Sequence, residues 1–273
     1  MRGGDAGWSS KRVISPTALR RFGECPHRVR LRYIDDILEP KSFKVDLSKG
    51  RITHELMAAS LRRIRQGSLE FGENWCFQQV ERRLPPHEFP SPAARQAHAR
   101  DVAHWVTWGL NQIDRTATIL RIEKGASREV PGQGSGSPLR LYTRPDLVLL
   151  HDERDGPLVE FIDFKTGREY EDHLVPAIMG YVFTNALSPD IPPSSGLRMR
   201  FTWYWLAERR STSRDLTLDY STEKLEEVRA IVDRLLAERE WRPQPSHLCH
   251  WCPYRGNPCT ALADAANDAV RDD

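Results

Sequence analysis

The order of apolar and polar positions divides the chain into a helical first part, a strand-rich middle and a helical last part. Ser15 and Pro16 predict a helix start, because a Ser side chain caps a helix well and Pro is favoured at the first helical position. That helix is expected to reach about residue 24. Apolar residues then recur at helical spacing in two stretches, which predict helices at 47–66 and 92–118.

Shorter apolar runs after residue 118 predict a sheet with two further helices. The strands are expected at residues 119–122, 139–150, 158–164, 199–207 and 215–218. The helices are expected at 172–187 and 222–239, and a Gly- and Ser-rich loop at 131–138. This order predicts one α/β domain over 15–260, with a helical part to about 118, a core to about 220, and flexible ends at 1–14 and 261–273.

The amino-acid composition is typical of a globular protein and argues against a membrane protein. The chain has 273 residues, of which 39% are hydrophobic and 29% charged, and its mean hydropathy is −0.58. No apolar run approaches the roughly 18 residues that a membrane span needs, and no secretory signal is visible, so the cytoplasm is the expected location. A net charge of only +2 excludes a uniformly basic surface but permits a local basic groove.

Four of the five cysteines lie in two groups at opposite ends of the sequence. Cys25 stands alone, whereas Cys249, Cys252 and Cys259 are clustered. Without a secretory signal, clustered cysteines favour a metal over disulfides. Their spacing is compatible with an iron–sulfur cluster and equally with structural Zn²⁺. Cys76 lies between Trp75 and Phe77 and is predicted to be a buried core residue.

Two acidic positions and a lysine predict phosphodiester chemistry. Asp146 follows Pro145, and Asp163 and Lys165 end an apolar run 17 residues later. Residues two apart on a strand share a face, so Asp163 and Lys165 are expected side by side. Carboxylates hold the divalent cation that such hydrolysis needs, and a lysine stabilises the developing charge. His54, on the second predicted helix, is an additional candidate ligand that would favour Mn²⁺ over Mg²⁺, although a lone helical histidine is more often structural.

These residues resemble the signature of the PD-(D/E)XK nucleases, whose fold is a central mixed sheet flanked by helices. Gly50 and His54 resemble the Gly-x-x-x-His helix of the RecB-like branch. The four cysteines resemble those of CRISPR-associated RecB-like exonucleases and of the AddB nuclease domain, where they hold a 4Fe-4S cluster. The resemblance covers about residues 15–260.

The resemblance implies a role for each matching residue. Metal ligands would be His54, Asp146, Asp163 and the backbone carbonyl of Ile162, and Lys165 would be the catalytic lysine. The iron–sulfur ligands would be Cys25, Cys249, Cys252 and Cys259. Tyr181 would be the DNA-binding Tyr of a Gln-x-x-x-Tyr motif, although its Gln position is Ala177 here. The last cysteine spacing is six residues, where five is usual.

Arginine-rich segments and aromatic residues are candidates for DNA contacts. Arg20, Arg21 and Arg62 belong to two such segments and are interpreted as phosphate contacts, against the alternative of solvated helix faces. Trp8, Tyr33, Trp203 and Trp205 could stack on bases, but core packing is favoured for the Trp203–Trp205 pair.

Three functions follow from these patterns. The first is a Mn²⁺- or Mg²⁺-dependent DNA nuclease acting on single strands or DNA ends, with a CRISPR integrase or repair proteins as partners. The second is a non-catalytic DNA-binding adaptor of such a complex, which the loss of the motif's Gln favours. The third is a redox-responsive iron–sulfur protein, ranked last because four cysteine ligands leave no open iron.

Overall fold

The computed structural model describes five stretches of the chain, and all structural statements below concern them. They are residues 13–39, 45–68, 72–130, 139–187 and 197–261. Trp8 and the predicted loop at 131–138 lie outside the described residues, as does most of the two predicted flexible ends.

The described residues form seven α-helices and eight strands, with short 3₁₀ turns at Pro86–Glu88 and His247–Trp251. The helices are α1 Pro16–Glu24, α2 Pro26–Tyr33, α3 Val45–Arg65, α4 Glu73–Glu81, α5 Pro92–Gln112, α6 Leu174–Ala186 and α7 Leu218–Ala237. The strands are β1 Val13–Ile14, β2 Thr118–Ile122, β3 Ala126–Val130, β4 Leu139–Thr143, β5 Leu147–Glu153, β6 Gly156–Lys165, β7 Arg198–Trp205 and β8 Arg210–Asp215. None of the helices in these stretches is long and apolar enough to cross a membrane.

Two compact units divide these elements. The sheet unit comprises residues 43–126 and 143–222, and the cysteine unit comprises residues 1–42, 127–142 and 223–273. Each unit has its own sheet and its own set of buried side chains.

The sheet unit is built on a five-stranded mixed sheet in the order β2-β5-β6-β7-β8. Strands β6 and β7 are parallel and the other neighbouring pairs are antiparallel. A parallel pair needs a crossover connection, and α6 provides it between β6 and β7. This mixed sheet flanked by helices confirms the predicted α/β core.

The two faces of strand β6 have different surroundings, because successive side chains point to opposite faces. Ile162 and Phe164 belong to a buried cluster with residues of α3, α4 and α5. Phe161, on the other face, packs on Phe183 of α6 with ring centroids 5.2 Å apart. Asp163 and Lys165 alternate with the buried pair and therefore share the face of Phe161.

The cysteine unit combines a small sheet in the order β1-β4-β3 with α1, α2 and the later part of α7. Ser15 caps α1 by accepting a hydrogen bond from the Ala18 N–H, as predicted. Phe22 contacts Trp241 edge to face at 6.1 Å, and the Tyr254 hydroxyl donates to the Ile37 carbonyl at 2.8 Å. These contacts join segments from the two ends of the sequence.

Several predicted boundaries are wrong. The helix at 92–118 ends at Gln112, because Asp114 forms a turn in which its carboxylate accepts from the Thr116 N–H at 2.8 Å. The strand at 139–150 is two strands, interrupted before Asp146 by Pro145, which has no N–H to pair. The strand at 215–218 is also wrong, since β8 precedes it and α7 begins at Leu218.

Two helices were not predicted at all. Helix α4 carries the buried Cys76, which confirms the core position of this thiol. Helix α2 starts at Pro26 directly after α1, because Cys25 is extended and Pro26 is favourable in a first helical turn.

Candidate active site

Asp146 is held at the start of β5 by hydrogen bonds to β6. Its backbone N–H donates to the Ile162 carbonyl at 3.1 Å, and its Oδ2 accepts from the Phe164 N–H at 2.7 Å. The residue is only 8% exposed. Because a backbone donor anchors one carboxylate oxygen, the other oxygen has a fixed direction.

That other oxygen faces His54 of α3. The distance from His54 Nδ1 to Asp146 Oδ1 is 3.1 Å. Gly50 lies one helical turn earlier, where a Cβ atom would lie 3.3 Å from the Thr166 hydroxyl. The glycine thus permits the close approach of α3 to the segment that follows Lys165.

Glu123 is a third member of this group and was not identified from the sequence. It follows β2 with a φ of 50°, and its N–H donates to the Asp146 carbonyl at 2.9 Å. Its carboxylate lies 3.9 Å from His54 Nδ1 and 3.2 Å from Arg144 Nε. His54, Glu123 and Asp146 each offer one ligand atom, and these atoms lie within 4.8 Å of one another.

A signal for Glu123 existed in the sequence. It follows the predicted strand at 119–122 directly, and that strand pairs with the strand of Asp146 through Ile122 and Leu147. A carboxylate at the end of a strand beside Asp146 is therefore a ligand candidate.

Asp163 and Lys165 lie side by side, as predicted for alternating strand positions. The distance from Lys165 Nζ to Asp163 Oδ2 is 2.7 Å. Burial alone would lower the pKa of Lys165, but the adjacent Asp163 carboxylate outweighs it and the pKa is raised. Lys165 is therefore an ammonium group at neutral pH and cannot serve as a base there.

The electrostatics of the group favour a bound cation. Burial raises the pKa of Asp146 and of Glu123, and the proximity of other carboxylates raises both further. Burial works to lower the pKa of His54, but the hydrogen bond and the charge of Asp146 raise it overall. Two oxygen ligands and one imidazole suit Mg²⁺ and, better, Mn²⁺.

The whole-chain comparison decides the family. The model of the PD-(D/E)XK nuclease superfamily matches residues 13–257. The chain belongs to the PD-(D/E)XK nuclease superfamily. Nucleases of this kind hydrolyse phosphodiester bonds with divalent metals. A comparison with curated protein sequences finds no significant match.

Two solved structures align with most of this chain. A candidate exonuclease from Eubacterium rectale has 11% sequence identity and a TM-score of 0.51, with 93% of each chain covered. A protein named SSO0001 has 13% identity and a TM-score of 0.41, with 93% of this chain and 88% of that chain covered. At such low identity, the match to the Eubacterium rectale protein supports the fold alone.

The other residues that the family resemblance implies differ in how far they are buried and in whether their hydrogen-bonding atoms are already used. The Ile162 carbonyl accepts the Asp146 N–H, so one of its two lone pairs is already used. Ala177 is completely buried on α6, and Tyr181 is half-buried one turn later. The position of the missing Gln therefore points into protein, whereas Tyr181 reaches the surface.

The arginines of the nuclease differ in their ion pairs. Arg21 contacts Glu39 at 2.9 Å and Arg20 contacts Glu24 at 3.7 Å, both within the cysteine unit. Arg62 is exposed near the end of α3 in the sheet unit. The first two arginines are thus partly neutralised by neighbouring carboxylates.

Four cysteines of the nuclease line one cavity of about 330 Å³ in the cysteine unit. They are Cys25, Cys249, Cys252 and Cys259. The Gln244 N–H donates to Cys25 Sγ at 3.5 Å and the Ser246 N–H to Cys249 Sγ at 3.4 Å. Burial raises the pKa of the Cys259 thiol, and the other three thiols raise it further.

Proposed function

We propose that this PD-(D/E)XK protein is a divalent-metal-dependent DNA nuclease that acts on single-stranded DNA or DNA ends, most simply as an exonuclease. The observation that supports it best is the partly buried group of His54, Glu123 and Asp146 in the same unit as the ion pair of Asp163 and Lys165. Exposed acidic clusters are common, but two adjacent, partly buried carboxylates whose pKa values are both raised are typical of a functional site.

In this proposal His54, Glu123 and Asp146 hold the metal, with Asp163 beside them. When bound, a divalent metal supplies Lewis-acid polarisation of the phosphate and a more acidic water. The Phe164 N–H keeps the Asp146 carboxylate oriented before substrate arrives, since this donor is part of the backbone of β6. The Ile162 carbonyl remains a further candidate ligand through its second lone pair.

Lys165 supplies a positive charge next to the scissile phosphate. Its raised pKa keeps it protonated, so it stabilises developing negative charge and does not abstract a proton. Asp163 positions the ammonium group through their short ion pair. Tyr181 and Arg62 are proposed to contact DNA in the sheet unit, and Arg20 and Arg21 in the cysteine unit.

We propose a 4Fe-4S cluster for the four cysteines of the cysteine unit. The resemblance of the four cysteines to those of cluster-binding nucleases supports this choice, and hydrogen bonds to the sulfurs are a feature of iron–sulfur sites. The N–H donors at Cys25 and Cys249 match that environment. The cluster would be structural, because four protein ligands leave no open position. Structural Zn²⁺ is the alternative that metal analysis tests.

The biological setting proposed is DNA repair and recombination or CRISPR adaptation, in the cytoplasm, with a CRISPR integrase or repair-complex proteins as partners. The family membership supports a nuclease, and the resemblance in the cysteines supports the choice of these settings.

The test is degradation of single- and double-stranded DNA labelled at the 5′ or the 3′ end. Anaerobically purified protein is incubated with Mn²⁺, Mg²⁺ or EDTA, beside Lys165→Ala. A matched control is Lys224→Ala, which also removes an ion-paired lysine, since Lys224 contacts Glu227 in α7. We expect metal-dependent cleavage that Lys165→Ala abolishes and Lys224→Ala retains.

Cleavage undiminished in Lys165→Ala would refute the active-site assignment. A folded wild-type protein that cleaves neither kind of DNA with either metal would refute the catalytic proposal and favour the non-catalytic adaptor. Iron and sulfide measured in the same preparation distinguish the cluster from zinc.

A further inference from the structure

Arg144 is a charged residue next to the proposed metal site of His54, Glu123 and Asp146, and the mechanism above leaves it unused. It lies between β4 and β5, two positions before Asp146, and its Nε is 3.2 Å from Glu123 Oε2. The Arg144 side chain is 57% exposed, whereas that of Glu123 is 16% exposed. The guanidinium therefore lies at the surface of the sheet unit, directly beside one of the proposed metal ligands.

The backbone that carries Arg144 is fixed on both sides. Its neighbours Thr143 and Pro145 are buried, and the Asp146 N–H donates to the Ile162 carbonyl at 3.1 Å. Pro145 has a restricted φ and disfavours helical backbone at Arg144. A ligand that binds this guanidinium therefore orders a side chain only, which keeps the loss of conformational entropy small.

The two carboxylate oxygens of Glu123 face different partners. Oε1 is 3.9 Å from His54 Nδ1, and Oε2 is 3.2 Å from Arg144 Nε. The oxygen nearer to His54 can bind a cation while the other oxygen keeps its contact with Arg144. Arg144 therefore holds this carboxylate without competing for the oxygen that faces His54.

Arg144 differs from arginines that stabilise the sheet unit internally. Arg95 and Arg115 donate to backbone carbonyls at 3.0 Å and 3.2 Å. In the stretches that the structure describes, the guanidinium of Arg144 has Glu123 as its ion-pair partner and donates to no backbone carbonyl. A guanidinium has five N–H donors, and four of them are on its two Nη atoms. Contact through Nε leaves these four for a ligand, and paired donors of this kind match the oxygens of a phosphate.

The most accessible positive charge beside these carboxylates is that of Arg144. Glu123, Asp146 and Asp163 repel a polyanionic strand. Lys165 offsets part of their charge, but its side chain is only 29% exposed and contacts Asp163 at 2.7 Å. Arg144 is the more exposed of the two basic side chains, so a phosphate that approaches from solution can reach it.

We propose that Arg144 binds a phosphate of the DNA strand and thereby holds the strand at the site of His54, Glu123 and Asp146. The inference rests on the proposed nuclease function and deepens it, because it names the residue that binds a polyanion beside an acidic site. The Nη atoms donate to two oxygens of the phosphate, while Nε keeps its contact with Glu123.

The experiment measures binding of a short single-stranded oligonucleotide in EDTA, where metal-dependent cleavage does not interfere. A methylphosphonate, which is an uncharged replacement for one phosphate, is placed at each position in turn. Affinity is measured at several salt concentrations for wild type, Arg144→Gln and Arg140→Gln. The Arg140→Gln protein is the matched control, because Arg140 is 54% exposed and contacts Glu129 at 3.2 Å.

We expect Arg144→Gln to bind the strand roughly 10-fold more weakly, at the lower end of the range for hydrogen bonds to charged groups. The slope of log affinity against log salt should become shallower by about 0.7, the value for one phosphate contact on a single strand. One methylphosphonate position should weaken wild-type binding by a similar factor and have little further effect in Arg144→Gln. Arg140→Gln should match wild type in all three measurements.

Glu123→Gln distinguishes strand binding from a purely structural role of Arg144. Removing the carboxylate takes away the anion that competes for the guanidinium, so Glu123→Gln should bind the strand at least as tightly as wild type. If Arg144 only orients Glu123, both substitutions should have the same effect. Arg144→Lys is a second variant that keeps the charge but loses the paired donors, and it should recover the salt slope without the full affinity.

Four results would overturn the proposal. They are equal affinity of wild type and Arg144→Gln, wild-type binding that no methylphosphonate weakens, a Glu123→Gln protein that binds as weakly as Arg144→Gln, and a wild type that binds no strand.

The two proposals fail in different ways. If wild type cleaves no DNA with either metal, the nuclease function fails. The binding measurements in EDTA still decide whether Arg144 holds a phosphate.

Discussion

Replacing Glu123 with Gln should stabilise the metal-free protein while weakening its metal binding. The substitution keeps the size of the side chain and removes one negative charge from the group of His54, Glu123 and Asp146. In the metal-free state, Glu123 and Asp146 repel each other in a partly buried place. In the metal-bound state, the same charge is needed to hold the cation.

The size of the effect follows from the geometry. Ligand atoms of Glu123 and Asp146 lie within 4.8 Å of each other. Two unit charges at that separation repel by about 3.5 kcal/mol at an effective dielectric constant of 20. The ion pair with Arg144, whose side chain is 57% exposed, offsets up to about 1 kcal/mol, and attraction to His54 offsets more. We expect a net gain of about 1–2 kcal/mol, or roughly 2–8 °C in Tm.

The assay is thermal unfolding at pH 8 in EDTA and across a Mn²⁺ titration. Saturating a site at a hundred times its Kd stabilises a protein by about 2.7 kcal/mol, so wild type should gain several degrees with Mn²⁺. Glu123→Gln should start higher and gain less. The matched control is Glu129→Gln in the cysteine unit, because Glu129 contacts Arg140 at 3.2 Å, the same distance as Glu123 to Arg144.

Two results would refute this reasoning. A Tm in EDTA below that of wild type would show that the Arg144 ion pair, and not repulsion by Asp146, dominates at Glu123. An unchanged Mn²⁺-induced gain would show that Glu123 does not bind the metal.

Three further predictions concern the metal site, the cysteines and the core. Mn²⁺ affinity should rise with pH over a range that extends above pH 6.5, because the raised pKa of His54 keeps its nitrogen protonated to higher pH. Calorimetric titration at several pH values checks this. Affinity that is flat from pH 6 to 8 would contradict His54 as a ligand. The Cys249→Ser protein should lose both iron and solubility, whereas the Cys76→Ala protein should retain its iron content. A stable Cys249→Ser protein without iron would show that the cluster is dispensable. Phe164→Ala should lose about 3–5 kcal/mol of unfolding free energy in urea, because this ring is completely buried, and a loss below about 1 kcal/mol would contradict its place in the core.

The central strands and the pair of Asp163 and Lys165 could be predicted because the signal is local. Asp163 and Lys165 interrupt an apolar strand at alternating positions, so their common face follows from strand geometry alone. The short distance between them, 2.7 Å, is what that geometry predicts.

Residues whose role depends on distant pairing were harder to find. Glu123 looks like an ordinary loop carboxylate until β2 is paired with β5, and a register irregularity between Ile119 and Arg121 further obscures that pairing. Strand β8 carries no apolar residue from Arg210 to Asp215, so hydrophobic patterning cannot detect it, although it forms one edge of the sheet.

The tryptophans of β7 show that predicting burial from the sequence does not predict which polar atoms find hydrogen-bond partners. Core packing was favoured for Trp203 and Trp205, and both are indeed buried. Alternation along the strand cannot reveal that the Trp205 indole N–H has an acceptor, whereas the Trp203 indole N–H has none among the described residues. The acceptor, Thr212, belongs to the strand that patterning missed.

The interleaving of the two units has a consequence during synthesis. Cys259 follows Cys25 by 234 positions, so at roughly 5–20 residues per second the ribosome supplies the last sulfur about 12–47 s after the first. For most of that interval Phe22 lacks Trp241 and the Ile37 carbonyl lacks the Tyr254 hydroxyl. The strands of the sheet unit are synthesised well before Cys249. The five-stranded sheet can therefore form while α1 and α2 still lack their partners. The cysteine unit is therefore the last part of the chain that can fold. Until then, the apolar side chains of α1 and α2 stay exposed on the nascent chain.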